Sequence, residues 1–257
     1  MRGLGRLARL SRRIRRSFAP AAVILLYHRV AEVAADPEQV TVSPARFADH
    51  LEVIRQTCYP MRLLDLVTAV HRRAIPRRAV VLTFDDGFAD FVQEAYPLLW
   101  AADIPATVFV ISGEVAPSQQ AAEAAAAPQQ LPRIMHADEL RLLTRDGLVE
   151  VGSHSVTHPV LASLSRDQQR VEIRGSRAQL EGLLGSPVVT FAYPYGRRHD
   201  YTEETAQLVR EAGYEAACAA TPGSVELGAD PLALPRYWIN DWDRETFAHH
   251  LERTFRW

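Results

Sequence analysis

Three short clusters in this sequence carry the residue types needed for chemistry on a polar substrate. Phe84-Asp85-Asp86-Gly87 sets two carboxylates side by side behind the apolar run Val80-Val81-Leu82-Thr83. Adjacent carboxylates repel unless a cation lies between them or one holds a proton, so the pair points to a metal or to acid–base work. The same residues also suit an ordinary turn. His154-Ser155-Val156-Thr157-His158 begins directly after Val149-Glu150-Val151-Gly152-Ser153. Imidazoles at that spacing share one side of a helical turn, and neutral imidazole nitrogens bind zinc at about 2.0–2.1 Å. A lone histidine there would serve structure; the pair sets a metal reading beside the structural one. In Phe191-Ala192-Tyr193-Pro194-Tyr195-Gly196 the proline and glycine fix a tight loop. Its backbone N–H groups could face a site, as an oxyanion donor must, or its aromatic rings could simply pack on a rim.

The elements that must position these clusters follow from periodicity. From residue 21 onward short β-branched runs alternate with amphipathic segments, the pattern of a parallel sheet covered by helices. Strands are expected at Val23 to Tyr27, Val80 to Phe84, Thr107 to Ile111, Val149 to Gly152, Val188 to Ala192, Tyr214 to Ala219 and Leu234 to Ile239. Helices are expected after a Ser43-Pro44 cap, from Phe88 to Trp100, Ala137 to Leu143, Ser165 to Leu184, Thr202 to Ala212 and Arg244 to Arg253. Ser165 with Gln168 reads as a capping box. Each chemical cluster therefore falls at the carboxyl end of a strand, where parallel α/β folds place their sites. The alternation suits a barrel better than an open sheet. The sequence divides into a basic segment, 1–20, and one α/β domain, 21–257, interrupted at about 114–132 by an Ala/Gln-rich insertion without apolar period.

Composition excludes some classes. With 257 residues, 47% hydrophobic, the chain can bury a full core. The net charge of -2 hides seven arginines in the first sixteen residues, so the rest is acidic and offers no clustered positive field for nucleic acid. All 29 bases are arginine, so no catalytic lysine exists, and Cys58 and Cys218 sit in no metal-ligand spacing and read as reduced, buried thiols. Leu4, Leu7, Leu10, Ile14 and Phe18 recur at helical steps among the arginines, which would let residues 1–18 contact an anionic membrane surface or form a locally packed leader. The apolar stretch Ala21 to Tyr27 is too short to span a bilayer and lacks a cleavage site, so the expected location is the cytoplasm or the inner membrane surface.

Taken together, Thr83-Phe84-Asp85-Asp86-Gly87, His154-x3-His158 and Phe191-Ala192-Tyr193-Pro194-Tyr195-Gly196, with the opening Leu26-Tyr27-His28-Arg29, resemble the polysaccharide deacetylase family. This is the NodB homology domain, or carbohydrate esterase family 4, and the resemblance runs from about residue 23 to about 240. It implies an α/β fold, a distorted TIM-like (β/α)7 barrel, and a divalent metal, usually Zn2+, held by Asp86, His154 and His158. It also implies Asp85 as general base and the Tyr195 N–H at the oxyanion. Many members have an arginine where this chain has Ala192, and that arginine orients the base; Arg236 is the candidate replacement, against an ordinary ion pair. No Leu-x-His supplies the usual acid near the C-terminus, so His28 is the candidate acid, against a structural role. Asp241-Trp242 is a partial match to a late motif that lines the acetyl pocket. The implied activity is hydrolysis of the N-acetyl group of an N-acetylhexosamine in a glycan or lipid-linked sugar. An O-acetyl (xylan-type) esterase and a non-catalytic sugar-binding relative remain the alternatives.

Overall fold

The structure is a computed structural model and describes residues 21–116 and 132–255. The basic segment and nearly all of the Ala/Gln-rich stretch lie outside the described residues. Parallel strands run in the order β10-β1-β5-β6-β7-β8-β9. They are β1 (Val23–Tyr27), β5 (Ala79–Phe84), β6 (Ala106–Val110), β7 (Val149–Ser153), β8 (Thr190–Ala192), β9 (Ala216–Cys218) and β10 (Tyr237–Trp238). The ring closes through a single segment. Leu234 bridges Cys218 of β9, and three and four residues later Tyr237 and Trp238 pair with Leu25 and Leu26 of β1. This is the distorted barrel that the alternation predicts.

Strand alternation divides the apolar residues into two layers. Val23, Leu25 and Tyr27 of β1 and Val80, Leu82 and Phe84 of β5 face outward and pack with helix residues such as Phe47, Leu51, Ile54 and Ile173. Ile24, Val81, Phe109, Ala192 and Ala216 face inward, where they meet Leu63, Leu66, Val67 and Val70. Those last residues belong to helix Leu63–His71, which stoppers the end of the barrel where the strands begin. Periodicity did not reveal this helix, because it is short and its N-cap, Arg62, makes no side-chain cap bond. The very short strands β2 (Arg29–Val30), β3 (Thr41–Val42) and β4 (Tyr59–Pro60) were also not expected.

Several helices match their sequence signals. Arg166–Leu184 opens on the Ser165–Gln168 capping box and ends at Gly185 with φ 69°. Helix Pro44–Thr57 starts where expected, but Ser43 does not cap it; the Ser43 N–H and hydroxyl donate instead to Asp241 Oδ1 at 2.9 and 3.1 Å. The helix expected from Phe88 begins later, as a π-helical turn Phe91–Ala95 that runs into Tyr96–Ala102. The delay has a cause: Phe88 forms an antiparallel bridge with Ile134 and Ala89 N–H donates to the Arg133 carbonyl, which takes both residues out of a helix. No helix among the described residues is long and apolar enough to cross a membrane.

Candidate active site

The inward positions of β5 are Val81 and Thr83, and the same alternation aims Asp85 into the barrel just above them. Asp86 should then point outward. Its backbone, however, is left-handed, with φ 71°, followed by Gly87 at φ 81°, and this reversal brings both carboxylates to one cleft. Asp85 is buried and gripped by Arg236, whose Nη1 and Nη2 donate to Oδ1 and Oδ2 at 2.7 Å each. Arg236 is itself 1% exposed; it also donates through Nε to the Ala219 carbonyl at 2.9 Å and through Nη1 to Thr83 Oγ1 at 3.2 Å. Burial alone would raise the Asp85 pKa, but the charge and bonds of Arg236 override it and carry it down to about 2.

His154 leaves the end of β7, where its N–H donates to the Val110 carbonyl at 2.9 Å. Its Nδ1 lies 2.8 Å from the Ala192 carbonyl, an acceptor, so Nδ1 carries the proton and Nε2 keeps its lone pair for the cleft. A side chain two residues earlier would spoil this: a Cβ on Gly152 would lie 2.5 Å from Phe109 and 2.6 Å from Thr190 Oγ1. His158 does not reach the site by a helical turn. Residues 154–158 form an irregular loop with Ser155 at φ 64° and His158 at φ 56°, which is a correction to the sequence expectation. The two imidazoles still converge, with ring centroids 4.7 Å apart.

The convergence includes Asp86. Its Oδ1 lies 3.5 Å from His154 Nε2 and 3.6 Å from His158 Nε2. A tetrahedral cation about 2.1 Å from each donor requires donors roughly 3.4 Å apart, close to these two separations, and the three ligand atoms lie within 4.8 Å of one another, so the group could hold a metal ion. Their protonation agrees. Burial, and then the charge of Asp85, push Asp86 up to about 7, while burial pushes His154 down to about 3 and His158 below its ordinary value. Each of these shifts is one that a nearby cation would oppose at Asp86 and favour at the imidazole lone pairs.

These residues line a cleft of ≈ 240 Å³ together with His28, Tyr195, Glu38, Arg197 and Trp238. His28 is pushed down to about 4 by burial, against the charge of Asp85, and its Nδ1 is buried with no hydrogen-bond partner among the described residues. Its ring packs on Trp238 at 4.5 Å. Tyr195 has φ 60° and its half-exposed ring stands edge-on to His158 at 4.7 Å; the turn's own bond runs from the Gly196 N–H to the Pro194 carbonyl. Asp241 and Trp242 do not line the cleft. Asp241 binds Ser43 and Arg46, and Trp242 stacks on His250. Trp238 and Glu38 were missed. Trp238 could have been found two residues after Arg236, on the same face of the strand; Glu38 sits in an irregular loop without a sequence signal.

The model of the family described as "Polysaccharide deacetylase" matches residues 72–217. The poly-beta-1,6-N-acetyl-D-glucosamine N-deacetylase of Staphylococcus aureus (strain MSSA476) is 24% identical over 259 residues, covering 91% of this chain and 82% of its own length. Among solved structures, the Streptococcus pyogenes deacetylase PplD in complex with acetate superposes with a TM-score of 0.76 at 25% identity, covering 92% of this chain and 99% of that one. IcaB from Ammonifex degensii superposes with a TM-score of 0.77 at 22% identity, covering 92% of this chain and 97% of that one.

Proposed function

Because this chain belongs to the polysaccharide deacetylase family, we propose that it hydrolyses the N-acetyl group of an N-acetylhexosamine unit in a glycan, releasing acetate and leaving a free amine. The observation that carries this reading is the meeting of Asp86, His154 and His158 within one cleft, with Asp85 fixed by Arg236 beside them. The named substrate of the Staphylococcus aureus relatives and the acetate in the PplD complex support it.

Asp86, His154 and His158 would hold a divalent cation, most simply Zn2+, which when bound polarises the acetyl carbonyl and makes water acidic enough to attack it. Asp85 takes the proton of the attacking water. The Arg236 fork keeps it ionised and fixes both oxygens, so the carboxylate is aimed before substrate arrives. That fork also leaves Asp85 a weak base, fit only for a strongly acidified water. The Tyr195 N–H donates to the oxygen that gains negative charge as the carbonyl is attacked. The proton taken by Asp85 passes through His28 to the departing nitrogen: burial keeps His28 neutral at rest, and the Asp85 charge, restored as the proton leaves it, favours the imidazolium that makes the delivery. In a chain without arginine at position 192, Arg236 supplies the support of the base from the segment beside β9, which weighs against a non-catalytic reading.

The test is acetate release by the Zn2+-loaded protein from β-1,6-linked N-acetylglucosamine oligomers, set against O-acetylated xylan. Release from the first, reduced about 10³-fold in D85N with metal content unchanged, is the expected result. Preference for the O-acetylated polymer, or full turnover in D85N, overturns the N-deacetylase assignment or the role of Asp85 respectively.

A further inference from the structure

The loop that carries both histidines is not stable on its own terms. Ser155 and His158 adopt left-handed backbone at φ 64° and 56°, a region unfavourable for a residue with a side chain. Between them the N–H groups of Val156 and Thr157 point the same way, and both donate to one oxygen of Glu172, at 2.8 and 2.9 Å. The Thr157 hydroxyl donates to the other oxygen at 2.8 Å. A carboxylate accepting successive N–H groups after a left-handed residue fills an anion nest. Glu172 comes from the middle of helix Arg166–Leu184, so a rigid element of the outer layer holds the loop.

The opposite edge of the loop is held just as tightly. Ser112 N–H donates to the Ser155 carbonyl at 3.1 Å and Gly113 N–H to the Val156 carbonyl at 2.9 Å. A Cβ on Gly113 would lie 2.6 Å from that Val156 oxygen, so only glycine lets the backbones meet. Within the loop, His158 N–H donates to Ser155 Oγ at 3.0 Å. Every anchor between the two histidines therefore acts on residues 155–158, and Glu172 supplies those from the helix side. Glu172 is not among the residues that line the cleft.

We propose that Glu172 is a positioning residue for metal binding: by clamping Val156 and Thr157 it fixes His158 at the distance from Asp86 and His154 that a divalent cation needs. The inference rests on the metal site put forward above. It assigns a function to a carboxylate outside the cleft, and the chemistry it requires is acceptance of hydrogen bonds, not negative charge at the ion. Glutamine at 172 keeps an oxygen that can accept from both backbone N–H groups, and its amide can donate to the Thr157 hydroxyl. Aspartate keeps the charge but falls one methylene short.

The experiment measures Zn2+ affinity by competition with a chromophoric chelator for the full chain and for E172A, E172D and E172Q, with circular dichroism and thermal melting alongside. Positioning predicts that E172A and E172D bind Zn2+ about 10–100-fold more weakly, the range for residues that orient metal ligands, while E172Q stays within about threefold of the parent. Activity at saturating Zn2+ should return in E172D further than its affinity does. Should E172A fail to fold, the E172D and E172Q pair still decides. Equal affinity in all folded variants, or a loss in E172Q as large as in E172D, overturns the proposal. A parent chain that binds no Zn2+ at all overturns the metal site itself instead, so the two failures are distinguishable.

Discussion

Below Thr83 the barrel interior is filled by Ile24, Val81, Ala216 and the stopper residues Leu63, Leu66, Val67 and Val70, all apolar and buried. Above it the same strands point Asp85, Arg236 and His154 into an equally buried space. The lower half gains free energy from burial on the order of 1.5–3 kcal/mol for each large aliphatic side chain. The upper half removes charges from water, a cost that the Arg236 fork offsets for Asp85 and that shows at Asp86 as a pKa pushed up by burial and by the Asp85 charge. Left-handed backbone occurs at both ends, at Arg73, Arg78 and Asp103 where strands begin and at Asp86, Ser155, His158 and Tyr195 above, but only the upper group carries or adjoins the side chains of the cleft. The stopper and the strands around it supply the stability that lets the rim hold ionisable groups in unfavourable surroundings.

The sharpest way to break this contrast is to remove one partner from the upper half. R236M keeps most of the volume and leaves Asp85 buried without its cation. It should lower stability by about 3–5 kcal/mol near pH 7, measured by urea unfolding. The loss should shrink in acid. In the parent, Asp85 sits at about 2, below its ordinary 3.8, so the pair contributes fully above pH 3.8 and is lost as pH falls through 2. In R236M burial is no longer opposed, Asp85 takes up a proton more readily, and the penalty fades at higher pH than in the parent. A penalty independent of pH would mean that packing, not charge, is what Arg236 provides.

Much of the upper half was legible. Asp85, Asp86, His154 and His158 stand at strand ends, and strand ends follow from alternation. Arg236 was named from the run expected as the last strand, although it stands just before β10. What alternation could not give was backbone handedness. Two histidines four residues apart suggested a helical turn, yet the chain reaches the same convergence through left-handed Ser155 and His158, held by long-range bonds to Glu172, Ser112 and Gly113. The partial Asp241-Trp242 match failed because a two-residue strand, β10, ends at Trp238 and the chain then turns outward to meet Ser43 and His50. In the lower half the stopper helix was invisible because its caps are backbone bonds alone.

A smaller effect tests the lower half by itself. Leu66 is fully buried in the stopper, with no polar partner, so L66A should cost about 2–5 kcal/mol of unfolding free energy through lost contacts and the cavity left behind. Because the cleft lies at the other end of the strands, turnover per folded molecule should stay within about twofold of the parent at a temperature where both are folded. A fall in kcat of tenfold or more in fully folded L66A would show that the two ends of the barrel are mechanically coupled, and the division drawn above would fail.

The outer layer offers a buried ionisable group without a chemical task. His50 is fully buried, stacks on Phe247 at 4.0 Å, lies 2.8 Å from the Trp242 carbonyl through Nε2 and 3.3 Å from the Tyr27 hydroxyl through Nδ1. Burial lowers it from 6.5 to about 4, opposed by its bond to Trp242 and by Asp241 and Asp49. The folded chain therefore resists protonation while the unfolded chain accepts it. The stabilising preference is whole above pH 6.5 and is lost as pH falls toward 4, a change of roughly 3 kcal/mol for a shift of this size. His28 and His154 add slopes of the same sign, so the parent alone cannot isolate it. The difference in unfolding free energy between the parent and H50Q can, and it should narrow by that amount from pH 7 to pH 4 while acetate release at pH 7 is unchanged. A constant difference would mean that the ring is held by packing on Phe247 alone. A narrowing accompanied by lost activity would place His50, through Tyr27 and its neighbour His28, within the upper half after all.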